Sequence, residues 1–195
     1  MPRLLVKITP SPPSRCSDFE NQLALRRVTL PISSMKVLPH THSCFVCGES
    51  NSIGLKLRFE TDGRLVRTRF VPRLEHVGFK QTVHGGLIAT LLDEIMVWAC
   101  AVQTKRFAFC AELNVRFHNP VAPGMAANAI AELAANRKNK IFEAKANLSN
   151  DSGLILATAT GKYIPVREMD AREMARDFVE DPAWLFEADG LNPAE

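Results

Sequence analysis

A chain of 195 residues can bury one substantial core but not two, and its 46% hydrophobic and 23% charged residues are the ordinary mix of a globular domain. A formal charge of only +3 excludes the global basic field of a nucleic-acid binder, and no run approaches the roughly 18 uninterrupted apolar residues of a membrane span. Five scattered cysteines, an odd number, argue against a disulfide framework and for free thiols in a reducing, cytoplasmic setting, so a soluble protein without nucleic-acid or membrane partners is expected.

Residues 1–39 carry Pro2, Pro10, Pro12, Pro13, Pro31 and Pro39 and no sustained periodicity, and read as a disordered extension outside the core. Within them Ser17-Asp18-Phe19-Glu20 has the capping-box form and could open a short helix through Arg27. The basic, acid-poor leader could also be a transit peptide, although its prolines fit an amphipathic targeting helix poorly, or Met35 could be the true first residue. The domain proper is expected over 40–165. It opens on His40, His42, Cys44 and Cys47, an H-x-H-x-C-x-x-C pattern with enough ligands for tetrahedral zinc but compressed relative to usual zinc spacings.

Leu55, Leu57 and Phe59 alternate with Lys56, Arg58 and Glu60, and Val66, Thr68 and Phe70 alternate with arginines. Asp62-Gly63 between them signals a hairpin. After His84-Gly85-Gly86 the run LIATLLDEIMVWAC is apolar around the whole helical wheel except for Asp93, Glu94 and Thr90, which predicts a buried helix over 84–101. Residues 107–117 place Phe109, Ala111, Leu113, Val115 and Phe117 on one strand face. The alanine-rich 125–136 is ambiguous, while 140–148 alternates again and 154–164 is apolar and threonine-rich around Gly161. Turns are expected at Asn136–Asn139 and Asn150–Gly153. The predicted fold class is α+β, an antiparallel sheet wrapped around one long helix. Residues 166–195 read as a helical tail, with a helix from Glu168 to about Phe178 and an apolar Trp184-Leu185-Phe186 that packs on its own sheet or a partner's.

An ionised carboxylate is costly in the middle of an apolar helix, so Asp93 and Glu94 each need compensation. At the helix start the first-turn N–H groups lack intrahelical acceptors and sit at the positive end of the dipole, and paired glycines let a ligand carbonyl come close. Such an oxyanion-hole donor is worth roughly 10²–10³ in rate for acyl transfer. Asp93 lies eight residues beyond Gly85, about 12 Å along the axis at 1.5 Å per residue, too far for both to touch one carbonyl. Two chains packed about a twofold axis with antiparallel helices would solve this by pairing the helix start of one with the aspartate of the other.

The runs CFVCGESNSIGLKLRF (44–59), VHGGLIATLLDEIM (83–96) and CAELNVRFHNPV (110–121) resemble the phenylacetyl-CoA-type (PaaI-like) branch of the hotdog-fold thioesterases over about residues 44–165. The resemblance implies a hotdog fold, homodimers that often pair into homotetramers, and hydrolysis of an acyl-CoA substrate without metal or cofactor. Residue by residue, it implies Asp93 as nucleophile or general base, Gly85 as the N–H that polarises the thioester carbonyl, His84 beside it, and Gly86, Gly78 and Cys110 on the substrate. Two positions depart from the family pattern. Val77 and Gly78 stand where relatives place Asn or Gln, leaving that contact missing or supplied by His76 or Gln81, and Cys110 stands where they place Thr or Ser.

Glu94 points about 100° away from Asp93 and is expected in a structural pairing. Cys110 reads as a small buried residue rather than a nucleophile, and His118 as loop. No G-x-S-x-G, P-loop or G-x-G-x-x-G motif occurs, which leaves serine-hydrolase, nucleotide-hydrolase and dinucleotide-binding readings without their key feature. The remaining alternative to an acyl-CoA thioesterase is a non-catalytic acyl-CoA-binding protein of the same fold.

Overall fold

The computed structural model describes residues 35–185. The capping box at 17–20, most of the expected extension and Phe186 lie outside that range. Seven strands form one antiparallel sheet: β1 (Lys36–Val37), β2 (Glu60–Thr61), β3 (Leu65–Phe70), β6 (Ala108–Phe117), β7 (Ala127–Arg137), β8 (Ile141–Asn150) and β9 (Ile155–Pro165), in the order β1-β2-β3-β7-β8-β9-β6. A short hairpin, β4 (Val77–Phe79) with β5 (Thr82–Val83), leads into the long helix α1 (Gly85–Thr104). A second helix, α2 (Glu168–Ala175), follows the sheet.

The expected architecture is therefore present, and the side chains explain it. Leu91, Leu92, Ile95, Met96 and Ala99 of α1 are fully buried. Facing them, β7 presents Ala127, Ala129 and Ala131, and β8 presents Phe142, Ala144, Ala146 and Leu148. The small residues of β7 let the helix lie close to the sheet, which resolves the ambiguous alanine-rich segment as a strand: packing overrides the helical preference of alanine. α1 has the length and mean hydropathy (1.6) of a membrane span, but more than half of that window is buried inside the protein. It is the core helix.

The Asp62-Gly63 hairpin is confirmed, with Gly63 at φ 91° and the Arg64 and Leu65 N–H groups donating to Asp62 Oδ1. Its first arm differs from expectation. Leu57 and Phe59 point inward as the alternation requires, yet the ladder shrinks to Glu60–Thr61, because the Leu55 and Leu57 N–H groups donate to the Phe45 and Val46 carbonyls instead. Both predicted turns are present; Lys138 and Asn139 adopt left-handed φ, and the Asn139 N–H donates to Asn136 Oδ1.

Folded structure begins before residue 40: Lys36 and Val37 form β1, and Leu38 is buried. At the other end α2 stops at Ala175, three residues earlier than expected. Phe178 leaves the helix to bridge Thr41 and pack against Trp98 and Phe107, with ring centroids 6.0 and 5.7 Å apart. Leu185 is fully buried and Lys36 Nζ lies 3.7 Å over the Trp184 ring, so the described part of the tail packs on its own chain. β6 is the other deviation. It is a ten-residue edge strand pairing only with β9 among the described residues, and its supposed inner face leaves Phe109 and Phe117 more than half exposed.

Candidate functional site

At the start of α1, His84 is the N-cap. Its Nδ1 accepts the Gly86 N–H at 2.9 Å, while its carbonyl accepts the Leu87 N–H at 3.0 Å. Because Nδ1 is an acceptor, the neutral imidazole carries its proton on Nε2. The two glycines thus have different tasks. A Cβ on Gly86 would lie 2.9 Å from His84 Nδ1, so glycine there permits the cap. The Gly85 N–H has no acceptor among the described residues, and Gly85 lines a cavity of about 300 Å³ together with Ile88, Phe117, His118, Asn119 and Leu156. A Cβ on Gly85 would sit 3.3 Å from the Phe117 ring.

The hairpin before the helix accounts for one departure from the family pattern. A Cβ on Gly78 would lie 2.9 Å from His84 Cα, so an Asn or Gln there would displace the cap residue. His76 offers no substitute contact: it is buried, stacked on Phe70, and its Nδ1 accepts the Arg73 N–H. Burial, then the Arg73 charge, holds its pKa below the ordinary histidine value. Gln81, exposed and left-handed, is the candidate that remains.

Asp93 is half-buried in the middle of α1, and its Oδ1 accepts the Tyr163 hydroxyl at 3.0 Å. Sequence reasoning missed Tyr163. The only tyrosine of the chain stands two residues beyond Gly161 on β9, and a Cβ on Gly161 would lie 2.7 Å from the tyrosine ring. The mid-strand glycine is the space the ring occupies on its way to Asp93, and that spacing was the available signal. Cys110 is the register partner of Tyr163 and also bonds Asp93. Partial burial of the sulfur, then the bond to Asp93, pushes the Cys110 thiol up to about 11, far from a reactive thiolate. The Tyr163 hydroxyl is pushed well above its ordinary value by burial and then by the Asp93 charge, so it stays a donor.

Glu94 points elsewhere, as its helical position requires. Its Oε1 accepts the Trp98 indole N–H at 3.2 Å and lies 3.9 Å from Cys44 Sγ. Burial raises its pKa to about 8. His40 and His42 do not join the cysteines: His40 sits between Glu49 and Glu180 at 3.2 and 2.9 Å, and His42 lies 3.2 Å from Glu49. His118 follows β6 as a loop residue, but it lines the cavity beside Gly85, 2.9 Å from Thr158 Oγ1. Phe117 and His118 sit at the Gly85 end of β6 and Cys110 at the Asp93 end, so the strand spans the distance between the two halves of the site.

Residues 80–153, which contain both Gly85 and Asp93, match the model of the Thioesterase superfamily. A solved thioesterase superfamily protein superposes with a TM-score of 0.59 at 22% identity, covering 64% of this chain and 60% of its own. The fold is the hotdog fold. Two further solved structures superpose on it. The E. coli PaaI protein of the phenylacetic acid degradation operon has a TM-score of 0.53 at 19% identity, covering 58% of this chain and 81% of its own. A hypothetical thioesterase from Streptococcus pneumoniae with coenzyme A has a TM-score of 0.50 at 13% identity, covering 53% and 82%. This chain thus spans less than two thirds of the first structure's length. No curated protein sequence matches it.

Proposed function

We propose that this hotdog protein is an acyl-CoA thioesterase of the PaaI-like kind, working as a homodimer in a reducing compartment such as the cytoplasm. The observations that carry the reading are a Gly85 N–H at a cavity with no acceptor among the described residues and, on the same helix, a half-buried carboxylate, Asp93, oriented by Tyr163. Coenzyme A bound to the Streptococcus pneumoniae protein supports the substrate class.

Strand β6 supports the dimer. The strand has Cys110 beside Asp93 at one end and Phe117 beside Gly85 at the other. Antiparallel pairing of two β6 strands about a twofold axis at Asn114 sets the bulged Cys110–Ala111 opposite the other chain's Phe117, and hence Asp93 opposite the other chain's Gly85. In each of two sites the thioester carbonyl oxygen accepts the Gly85 N–H of one chain. Asp93 of the other chain either attacks the carbonyl carbon, expelling the CoA thiolate and leaving an anhydride that water opens, or takes a proton from the attacking water. Tyr163, donating to Oδ1, fixes the orientation of the carboxylate for the reaction.

The test is a panel of aromatic and aliphatic acyl-CoA esters with a thiol reagent. Wild type should release CoA, and Asp93→Asn should lose about 10²-fold or more in kcat/KM. An unchanged kcat/KM would overturn the mechanism, whereas tight acyl-CoA binding without thiol release would select a binding protein.

A further inference from the structure

Residues 38–59 run for 22 positions without helix or sheet strand, yet they bury Leu38, Val46, Cys47, Leu57 and Phe59 in the main core. Segments of that length without regular structure are uncommon inside a folded domain and need something beyond a backbone ladder to fix them. The centre of this one is the turn Cys44-Phe45-Val46-Cys47-Gly48. The Gly48 N–H donates to the Cys44 carbonyl at 2.9 Å and the Val46 N–H to Cys44 Sγ at 3.2 Å. A Cβ on Gly48 would fall 2.2 Å from the Cys44 carbonyl oxygen, so only glycine closes the turn this tightly.

The turn directs both sulfurs at α1. Cys44 Sγ, Cys47 Sγ and a Glu94 carboxylate oxygen all lie within 4.8 Å of one another, although Glu94 is 50 residues from Cys44. Donors about 2.3 Å (sulfur) and 2.0 Å (oxygen) from a tetrahedral zinc lie roughly 3.5–3.8 Å apart, so a small contraction makes these three a ligand set. The surroundings match those of ligands. The Trp98 indole N–H orients the Glu94 carboxylate at 3.2 Å, Thr41 Oγ1 lies 3.5 Å from Cys47 Sγ, and the Val46 N–H bond to Cys44 Sγ suits a thiolate. Two sulfurs and one carboxylate select a zinc-class ion over magnesium or calcium, which prefer all-oxygen sets.

We propose that Cys44, Cys47 and Glu94 bind a divalent zinc-class cation, with water as fourth ligand on the side of half-buried Cys44, and that the ion staples the 38–59 segment to α1. Binding exchanges whatever protons the two thiols and the carboxyl carry for the metal, with no change of oxidation state. The ligand set departs from the H-x-H-x-C-x-x-C pattern, because His40 and His42 are held by glutamates and Glu94 replaces them. It also revises the expectation of a metal-free protein.

The experiment is metal analysis of the untagged full chain, purified under reducing conditions and equilibrated with zinc, followed by cobalt titration of the metal-stripped protein. About one zinc per chain is expected, with thiolate-to-cobalt charge-transfer absorption on titration. Cys44→Ser and Cys47→Ser should abolish retention, Glu94→Gln should weaken it at least about tenfold, and His42→Ala should leave it unchanged. Stripping the wild type should lower Tm by about 5 °C or more. Less than about a tenth of an equivalent of zinc with no thiolate–cobalt band would overturn the proposal, as would a Cys44–Cys47 disulfide in protein kept reduced. The wild-type cobalt spectrum decides the matter even if the cysteine variants fail to fold.

Discussion

The partners of Asp93 show how a single residue's environment sets its chemistry. In a single chain Cys110 is exposed enough to meet a reagent, but partial burial of its sulfur and the bond to Asp93 raise its thiol to about 11. A raised pKa means that the thiolate fraction stays small through pH 8 to 9 and climbs only above pH 10, so alkylation by iodoacetamide should still be rising where an ordinary thiol has levelled off. Peptide-resolved mass spectrometry at pH 8 should find Cys110 about tenfold or more slower than an unperturbed thiol, and Asp93→Asn should speed it by removing the second cause. Fast modification at pH 8 would show that the contact with Asp93 is absent. Asp93 itself was legible in the sequence, because one carboxylate in an apolar helix demands an explanation. Tyr163 was less so: Gly161 two residues before it hints at a ring in the glycine's space, but which helix residue that ring's hydroxyl meets depends on how β9 crosses the helix, which no local pattern reports.

At the scale of elements, glycines and small residues determine how closely α1 and the sheet approach. Gly161 is the sharpest case: its backbone is ordinary, so its cost is purely steric, with the Tyr163 ring occupying the space a Cβ would fill. Gly161→Ala should destabilise by about 1–3 kcal/mol, a fall in Tm of about 2–10 °C, and should lower kcat by displacing the Tyr163 hydroxyl from Asp93. In a Tyr163→Ala background the same change should cost almost nothing, and a calorimetric double-mutant cycle with purely additive effects would refute the contact. The cap at the other end of the site behaves differently. His84→Ala removes the acceptor of the Gly86 N–H and should cost about 1 kcal/mol, seen as an earlier urea midpoint with unchanged slope. The helix, three of the four long strands and the turns were legible because period and turn chemistry agree locally, whereas alanine-rich β7 stayed ambiguous because only its packing on the helix makes it a strand. The arm at 55–59 read as a strand because its side chains do alternate, while its N–H groups found carbonyls in the Cys44–Cys47 segment, a long-range choice that periodicity cannot encode.

At the scale of the fold, the decisive feature is the edge of β6, which has no strand partner beyond β9 among the described residues. A ten-residue edge with no partner among the described residues, flanked by exposed Phe109 and Phe117, is a liability in a monomer, and it becomes reasonable when a second copy covers it. In the proposed pairing Asn114 faces its own copy across the twofold axis, so Asn114→Lys places two ammonium groups near each other and Asn114→Asp two carboxylates. Each variant alone should raise the dimer dissociation constant at least about tenfold in sedimentation, and activity per chain should fall with the dimer fraction on dilution. Mixing the two should restore both, because opposite charges then meet across the axis. The mixture separates loss of pairing from damage within a chain, since a misfolded strand would not recover on mixing. Gly85 and Asp93 are about 12 Å apart along one helix, so neither chain can complete a site alone. A wild-type monomer with full activity would therefore refute both the dimer and the shared site.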